Sequence, residues 1–335
     1  MHKDSAATEH GNINRDENPN MRGLSDKFMH ELKHGWLWPL LEAARTDHTL
    51  CFEIRNNYAN IYYRGGNLCR IEETPSGYKL SFDANYAIDS DKKRKVEEMD
   101  SLHPHDWVKE IPFLKGVMDE WFTENPKAER EVQQLILRDN NDSAISNGTD
   151  YFITDIEYAN SDNGSRFDMA AAKWPSTSPG RQKKKELPLA FIEVKYGDNA
   201  LAGKSGLVKH VKDLYKFLNT EGAAQNLCTE MARVYNQKVE LELLPSKPGR
   251  IESISAAHME FIFLIVNHKP ASTVLLRELI AVSKRPEYES LRELGCEIKI
   301  ATASMMGYGL YAENMIPLSE YLTGKTLCED AEEAE

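Results

Sequence analysis

Apolar and polar positions divide this chain into elements before any chemistry is considered. Residues 24–44, LSDKFMHELKHGWLWPLLEAA, carry an apolar stripe at helical spacing that Gly35 and Pro39 interrupt, so a broken helix or two short ones is expected. Over residues 51–82 the period shortens to two. CFEIR, NIYYR and YKLSF alternate in strand fashion, and Gly65-Gly66-Asn67 is a hairpin signal, which together predict an N-terminal β-meander. Helical spacing returns over residues 105–122 through Ile111, Leu114, Val117, Met118 and Trp121. Asn125-Pro126 then reads as the cap and first position of another helix, continuing through KAEREVQQLIL.

Beyond it the pattern predicts three strands, over residues 151–158, 166–172 and 189–196. Helices follow over about 205–218 and 221–235, then a buried strand at 258–266, a helix at 273–283 and a strand at 297–302. Helix, three strands, helix and strand in that order make a mixed α/β fold. The expected organisation is a disordered polar tail over 1–22, a helix and β-meander accessory unit over 23–104, an α/β unit over 105–325 and an acidic tail over 326–335.

Composition narrows the function classes. At 335 residues and 41% hydrophobic content the chain can bury at least one full core. Its longest apolar runs, 261–266 and 189–192, fall far short of the roughly 20 residues that cross a bilayer. The first 22 residues hold no apolar stretch that would serve as a secretory signal, so no membrane partner and a cytoplasmic location are expected. Five scattered cysteines without a C-x-x-C pair argue against a disulfide framework or a thiolate zinc site. The formal net charge of -12 argues against coating nucleic acid through overall charge, but leaves room for a local basic groove.

Chemistry concentrates in LAFIEVKY, residues 189–196. Side chains alternate across a strand, so Phe191, Glu193 and Lys195 share one face, with the acid and the ammonium about 7 Å apart along it. Burying both is costly without compensation. Asp168 is likewise an isolated acid in an apolar strand, RFDMAAA. Two acids on adjacent strands can share a hard cation, and magnesium takes only one or two protein carboxylates, completing its octahedron with water and phosphate oxygens. A nearby lysine then serves to orient the nucleophile or stabilise the transition state.

Asp168, then Glu193-Val194-Lys195 on an apolar strand, preceded by an acid-bearing helix, resembles the PD-(D/E)XK nuclease superfamily, with its restriction-endonuclease-like fold. The resemblance covers about residues 127–266. It implies a phosphodiester hydrolase using Mg2+ or Mn2+, with DNA favoured over RNA, and a role such as restriction or antiviral defence. By the resemblance Asp168 and Glu193 would bind metal, the Val194 carbonyl would add a ligand and Lys195 would be catalytic. The chain departs from the family's pattern at Phe167, where the name-giving motif has Pro. It also lacks a Gln-x-x-x-Tyr motif, since His210 is followed four residues later by Leu214.

For the helix acid the choice lies between Glu129 and Glu131. Glu131 is preferred, because Ala128, Glu131, Val132 and Leu135 fall on one stripe. Asp155 is a further ligand candidate on the first strand, and Lys183, Lys184 and Lys185 are candidate phosphate contacts. The accessory unit is expected to serve substrate recognition, an accessory protein or a second copy of the chain.

Each reading has a bland counterpart. Glu193 and Lys195 would be a simple strand-end ion pair in a non-catalytic binding module that kept the fold. The lysine run would be solvated loop. Gly203-Lys204-Ser205 suggests nucleotide hydrolysis, but five residues rather than four separate Gly197 from Gly203.

Overall fold

Ser25 accepts a hydrogen bond from the Phe28 N–H and so opens α1 (Asp26–His34), which ends at Gly35. Pro39 falls in the first turn of α2 (Trp38–Thr46), where a missing N–H costs nothing. The broken apolar stripe is therefore two helices. In this computed structural model the described residues are 21–99, 102–142, 148–160, 163–244, 249–268, 272–303 and 315–323. The tails expected over 1–22 and 326–335 lie outside them, residues 21 and 22 excepted.

The meander follows as β1 (Leu50–Ile54), β2 (Tyr58–Tyr63), β3 (Gly66–Thr74) and β4 (Gly77–Ser81), antiparallel in sequence order. Gly65, in the β2–β3 turn, has a φ of +73°, and a Cβ there would stand 2.6 Å from the Arg130 backbone. Only glycine meets both demands. Next come α3 (Ser90–Glu98), α4 (Pro104–Lys109) and α5 (Ile111–Glu124). Trp107 of α4 and Leu114, Val117 and Met118 of α5 pack into one core with Leu40, Ile61 and Ile71. The boundary expected at residue 104 therefore falls inside the first core. Both helices need an apolar surface to cover, and the meander provides it.

The second sheet has the order β10-β9-β8-β7-β6-β5. Leading into it is α6 (Ala128–Asn141), followed by β5 (Tyr151–Ala159), β6 (Arg166–Lys173), the short α7 (Ser178–Gln182) and β7 (Leu187–Tyr196). After β7 come α8 (Leu207–Leu218), α9 (Ala223–Glu240) and β8 (Ile254–Val266). The last elements are α10 (Val274–Ser283), α11 (Pro286–Glu293), β9 (Cys296–Ala303) and β10 (Ile316–Pro317). β5, β6 and β7 are mutually antiparallel, while β8 and β9 run parallel to β7. The fold is mixed α/β.

One face of this sheet packs on α8 and α9 through Phe191, Phe217, Leu227 and Phe261. The other receives α6 through Val132, Ile136, Ile192 and Val194. Three buried ionic contacts tie the two units together. Lys238 of α9 meets Glu53 of β1 at 2.7 Å, and Arg55 and Arg22 both bind Asp155 of β5. Among the described residues no helix is long and apolar enough to cross a membrane.

Asn125 is not the cap of α6. It closes α5, its N–H bonding to the Trp121 carbonyl, and α6 begins two residues beyond Pro126 at Ala128. The buried positions of α6 are Val132, Gln133, Ile136, Leu137 and Asn140, among others. That stripe is rotated from the one read in the sequence, and the rotation decides which glutamate meets the strands.

Candidate active site

The site is built where two strands part. β6 and β7 pair only from Met169–Ile192 to Ala172–Leu189, whereas β7 stays paired to β8 as far as Tyr196–Val266. The last residues of β7 thus keep one partnered edge and lose the other. A buried backbone N–H without a partner is costly, and side chains take the place of the missing strand. Asp168 Oδ2 accepts the Val194 N–H at 2.8 Å. Glu129 Oε2, reaching from α6, accepts the Tyr196 N–H at 3.3 Å. Since the N–H and C=O of one strand residue point to the same side, the Val194 carbonyl opens into the same gap.

Glu193 and Lys195 stand on the α8 face and are buried, at 1% and 3% exposure. Lys195 Nζ donates to Glu193 Oε1 at 2.7 Å, and His210 Nε2 lies 3.0 Å from the same oxygen. His210 Nε2 also lies 3.1 Å from the Ser205 carbonyl. Both neighbours are acceptors, so Nε2 carries the hydrogen. Glu193 Oε2 is enclosed and, among the described residues, receives no hydrogen bond.

The electrostatics separate the two acids. Burial, and next the charge of Glu193, push the Asp168 carboxyl well above its usual range, with Glu129 adding to the repulsion. Asp168 is nevertheless only half-buried, so water reaches this acid. Burial would also raise Glu193, but the hydrogen bond and charge of His210, then those of Lys195, hold it below the ordinary value. Lys195 would be lowered by burial; Glu193 and Asp168 outweigh that and raise it. It is an ammonium at neutral pH, and so a charge stabiliser rather than a base.

Asp168, Glu193, Val194 and Lys195 come together as the sequence suggested, and the other candidates stand elsewhere. Glu131 binds Arg64, which also holds Asp119 at 2.8 Å, and none of Asp168, Glu193 or Lys195. The later start of α6 is the reason: Glu129 precedes Val132, Gln133 and Ile136 by three, four and seven residues, and so shares their face. Asp155 is fully buried and engaged by Arg55 and by Arg22 at 2.5 Å. A register shift between Ile153 and Asp155 changes the pairing of Asp155 with β6, and Glu157, whose φ is +51°, pairs with Arg130 at 2.9 Å. Lys183, Lys184 and Lys185 are exposed and precede β7, so the length of that strand, about 26 Å from Leu187 to Lys195, separates them from the site. Lys185 pairs with Glu252. Gly203–Ser205 forms one 3-10 turn whose Ser205 carbonyl meets His210.

Of the site's members, the sequence offers Glu129 only as the second choice to Glu131 and does not single out His210. His210 had a visible signal. It follows Leu207 by three residues and precedes Leu214 by four, on the otherwise apolar stripe that α8 turns to the sheet. A histidine there must find a partner, and Glu193 is that partner.

Among the described residues no group of three or more His, Cys, Asp or Glu side chains is placed to hold a metal ion. The donor set here is two carboxylates, one with a free buried oxygen, and a main-chain carbonyl facing the gap. That set suits a hard cation which fills the rest of its shell with water and substrate oxygens. No family model matches the chain, and neither curated proteins nor solved structures give a match.

Proposed function

We propose that this chain is a metal-dependent nuclease, hydrolysing phosphodiester bonds at the parting of β6 and β7, with DNA favoured over RNA. The observation that carries the reading is Glu193 Oε2, a buried carboxylate oxygen without a donor among the described residues, beside a second, repelled carboxylate. The order α6, β5, β6, β7, α8 and β8 agrees with the helix, three strands, helix and strand of the PD-(D/E)XK nucleases that the sequence resembles; here α9 is added before β8.

Asp168, Glu193 and the Val194 carbonyl would hold Mg2+ or Mn2+. When bound, such an ion lowers the pKa of an attached water and neutralises charge on a phosphoryl group. The chain's own residues supply the rest. Lys195 and His210 both fasten Glu193 Oε1, leaving Oε2 as the coordinating oxygen. The Val194 N–H fixes Asp168 in the gap, and the Lys195 ammonium stabilises negative charge developing on the phosphate. Incubation with plasmid, linear and single-stranded substrates, with Mg2+, with Mn2+ and with chelator, tests this. Metal-dependent cleavage is expected, and no cleavage of any substrate in either metal would overturn it.

A second reading has its own observation, since the Lys195 ammonium already pairs with Glu193 and His210 bonds to the same oxygen. In that case the cluster is a buried ionic lock of a binding module, and metal leaves the protein unchanged.

Position separates the helix acids. Glu129→Gln is expected to lower cleavage about tenfold, because Glu129 adds charge beside Asp168 and fixes the end of β7. Glu131→Gln should leave it within about twofold, as a half-exposed ion pair contributes little. Rates of both variants at one metal concentration check the ranking.

A further inference from the structure

A groove of about 350 Å³ lies between α6 and the meander. Ala128 and Tyr196 line it, and these two residues adjoin Glu129 and Lys195 in the chain. Val132 and Leu135 continue the apolar floor. Glu131 brings the groove a carboxylate, which shares the Arg64 guanidinium with Asp119. Arg138 also lines the groove and lies 3.9 Å from Asp139, and His48, 75% exposed, lies 3.5 Å from Asp142.

We propose that this groove binds one unpaired nucleotide next to the cleaved phosphate, so that the substrate is single-stranded nucleic acid or a frayed end. This rests on the nuclease reading for its cleaved bond, though not for the binding itself. The volume lies near the lower end of small-ligand pockets, about 300–1,000 Å³, and has room for a single nucleotide. A duplex, whose major groove alone is about 12 Å wide, does not enter it. An apolar floor ending in an aromatic ring suits the face of a base, and a guanidinium at the rim suits its phosphate. The lysine run that would track a duplex backbone lies at the far end of the sheet, and the net charge of -12 gives no general attraction for phosphate. The groove also gives the meander a task, since His48, Thr49 and Tyr63 form its outer wall.

The test is fluorescence anisotropy on the full chain in chelator, where no cleavage occurs. The probes are labelled twelve-residue oligothymidylate, oligouridylate and a duplex of equal length, and cleavage is assayed in parallel with Mg2+. Single strands should bind about tenfold tighter than duplex, and Arg138→Glu and Leu135→Asp should each erase about tenfold of that affinity. Arg138→Glu alters a half-exposed side chain, so the folded protein is available even where Leu135→Asp lowers expression. Equal binding of strand and duplex, or unchanged binding by Arg138→Glu, overturns the groove. Groove-dependent binding without cleavage upholds it while removing the nuclease reading. Equally fast cleavage of duplex and strand removes the groove and leaves the nuclease.

Discussion

Asp168→Ala, Glu193→Ala and Lys195→Ala are each expected to abolish metal-dependent cleavage, by about a thousandfold or more, the scale on which interdependent catalytic groups fail. The three are not independent in this site. Lys195 holds Glu193 Oε1 at 2.7 Å, and the charge of Glu193 is among the groups that raise Asp168. Losing Lys195 leaves Glu193 Oε1 held by His210 alone. Losing Glu193 leaves a buried ammonium beside Asp168 alone. The double variant Asp168→Ala/Lys195→Ala should therefore be little slower than either single one. The measurement is single-turnover cleavage with folding checked by circular dichroism. Full activity in any one variant removes that residue from the site, and additive losses would show that the three do not act together.

This unit was legible in the sequence because strand alternation is a short-range rule. Once LAFIEVKY is a strand, Glu193 and Lys195 share a face whatever the rest of the chain does. Asp168 was legible for the same reason, as a lone acid in an apolar strand. The acid on α6 was not, because a helix stripe depends on where the helix begins. Asn125-Pro126 has the composition of an N-terminus but closes α5 instead, and the resulting rotation exchanged Glu131 for Glu129. Asp155 was misplaced because one register shift in β5 is invisible in the residue pattern, as are its partners Arg22 and Arg55, each at least 100 residues away. The domain boundary failed similarly. The spacing of α5 shows an apolar face, but only packing shows that the meander rather than the second sheet covers it.

Thermal melts distinguish a metal site from an ionic lock, and here the two acids should respond with opposite signs. Asp168→Asn keeps an oxygen for the Val194 N–H and removes a repelled charge, so without metal it should melt above wild type. Glu193→Gln should melt below wild type, by about 1–3 kcal/mol of stability, because Lys195 and His210 lose a buried anionic partner. The pH dependence follows from the directions of the two shifts. Asp168 has its folded pKa raised above the unfolded value of about 3.9. Its burden is absent below that value and grows as pH rises through the folded pKa, so the advantage of Asp168→Asn should widen from about pH 4 upward. Glu193 has its folded pKa lowered. Its stabilisation is present above the unfolded value of about 4.3 and disappears as pH falls through the folded pKa, so the deficit of Glu193→Gln should shrink in acid. Metal adds the deciding arm. A cation that binds only the folded site stabilises by roughly 2.7 kcal/mol at about 100 times its dissociation constant. Mg2+ or Mn2+ should raise the wild-type melting temperature and leave both variants nearly unmoved, since each lacks one of the two carboxylates. A wild type that ignores both metals, with Asp168→Asn still more stable than it, would establish Glu193, Lys195 and His210 as a lock and end the metal reading.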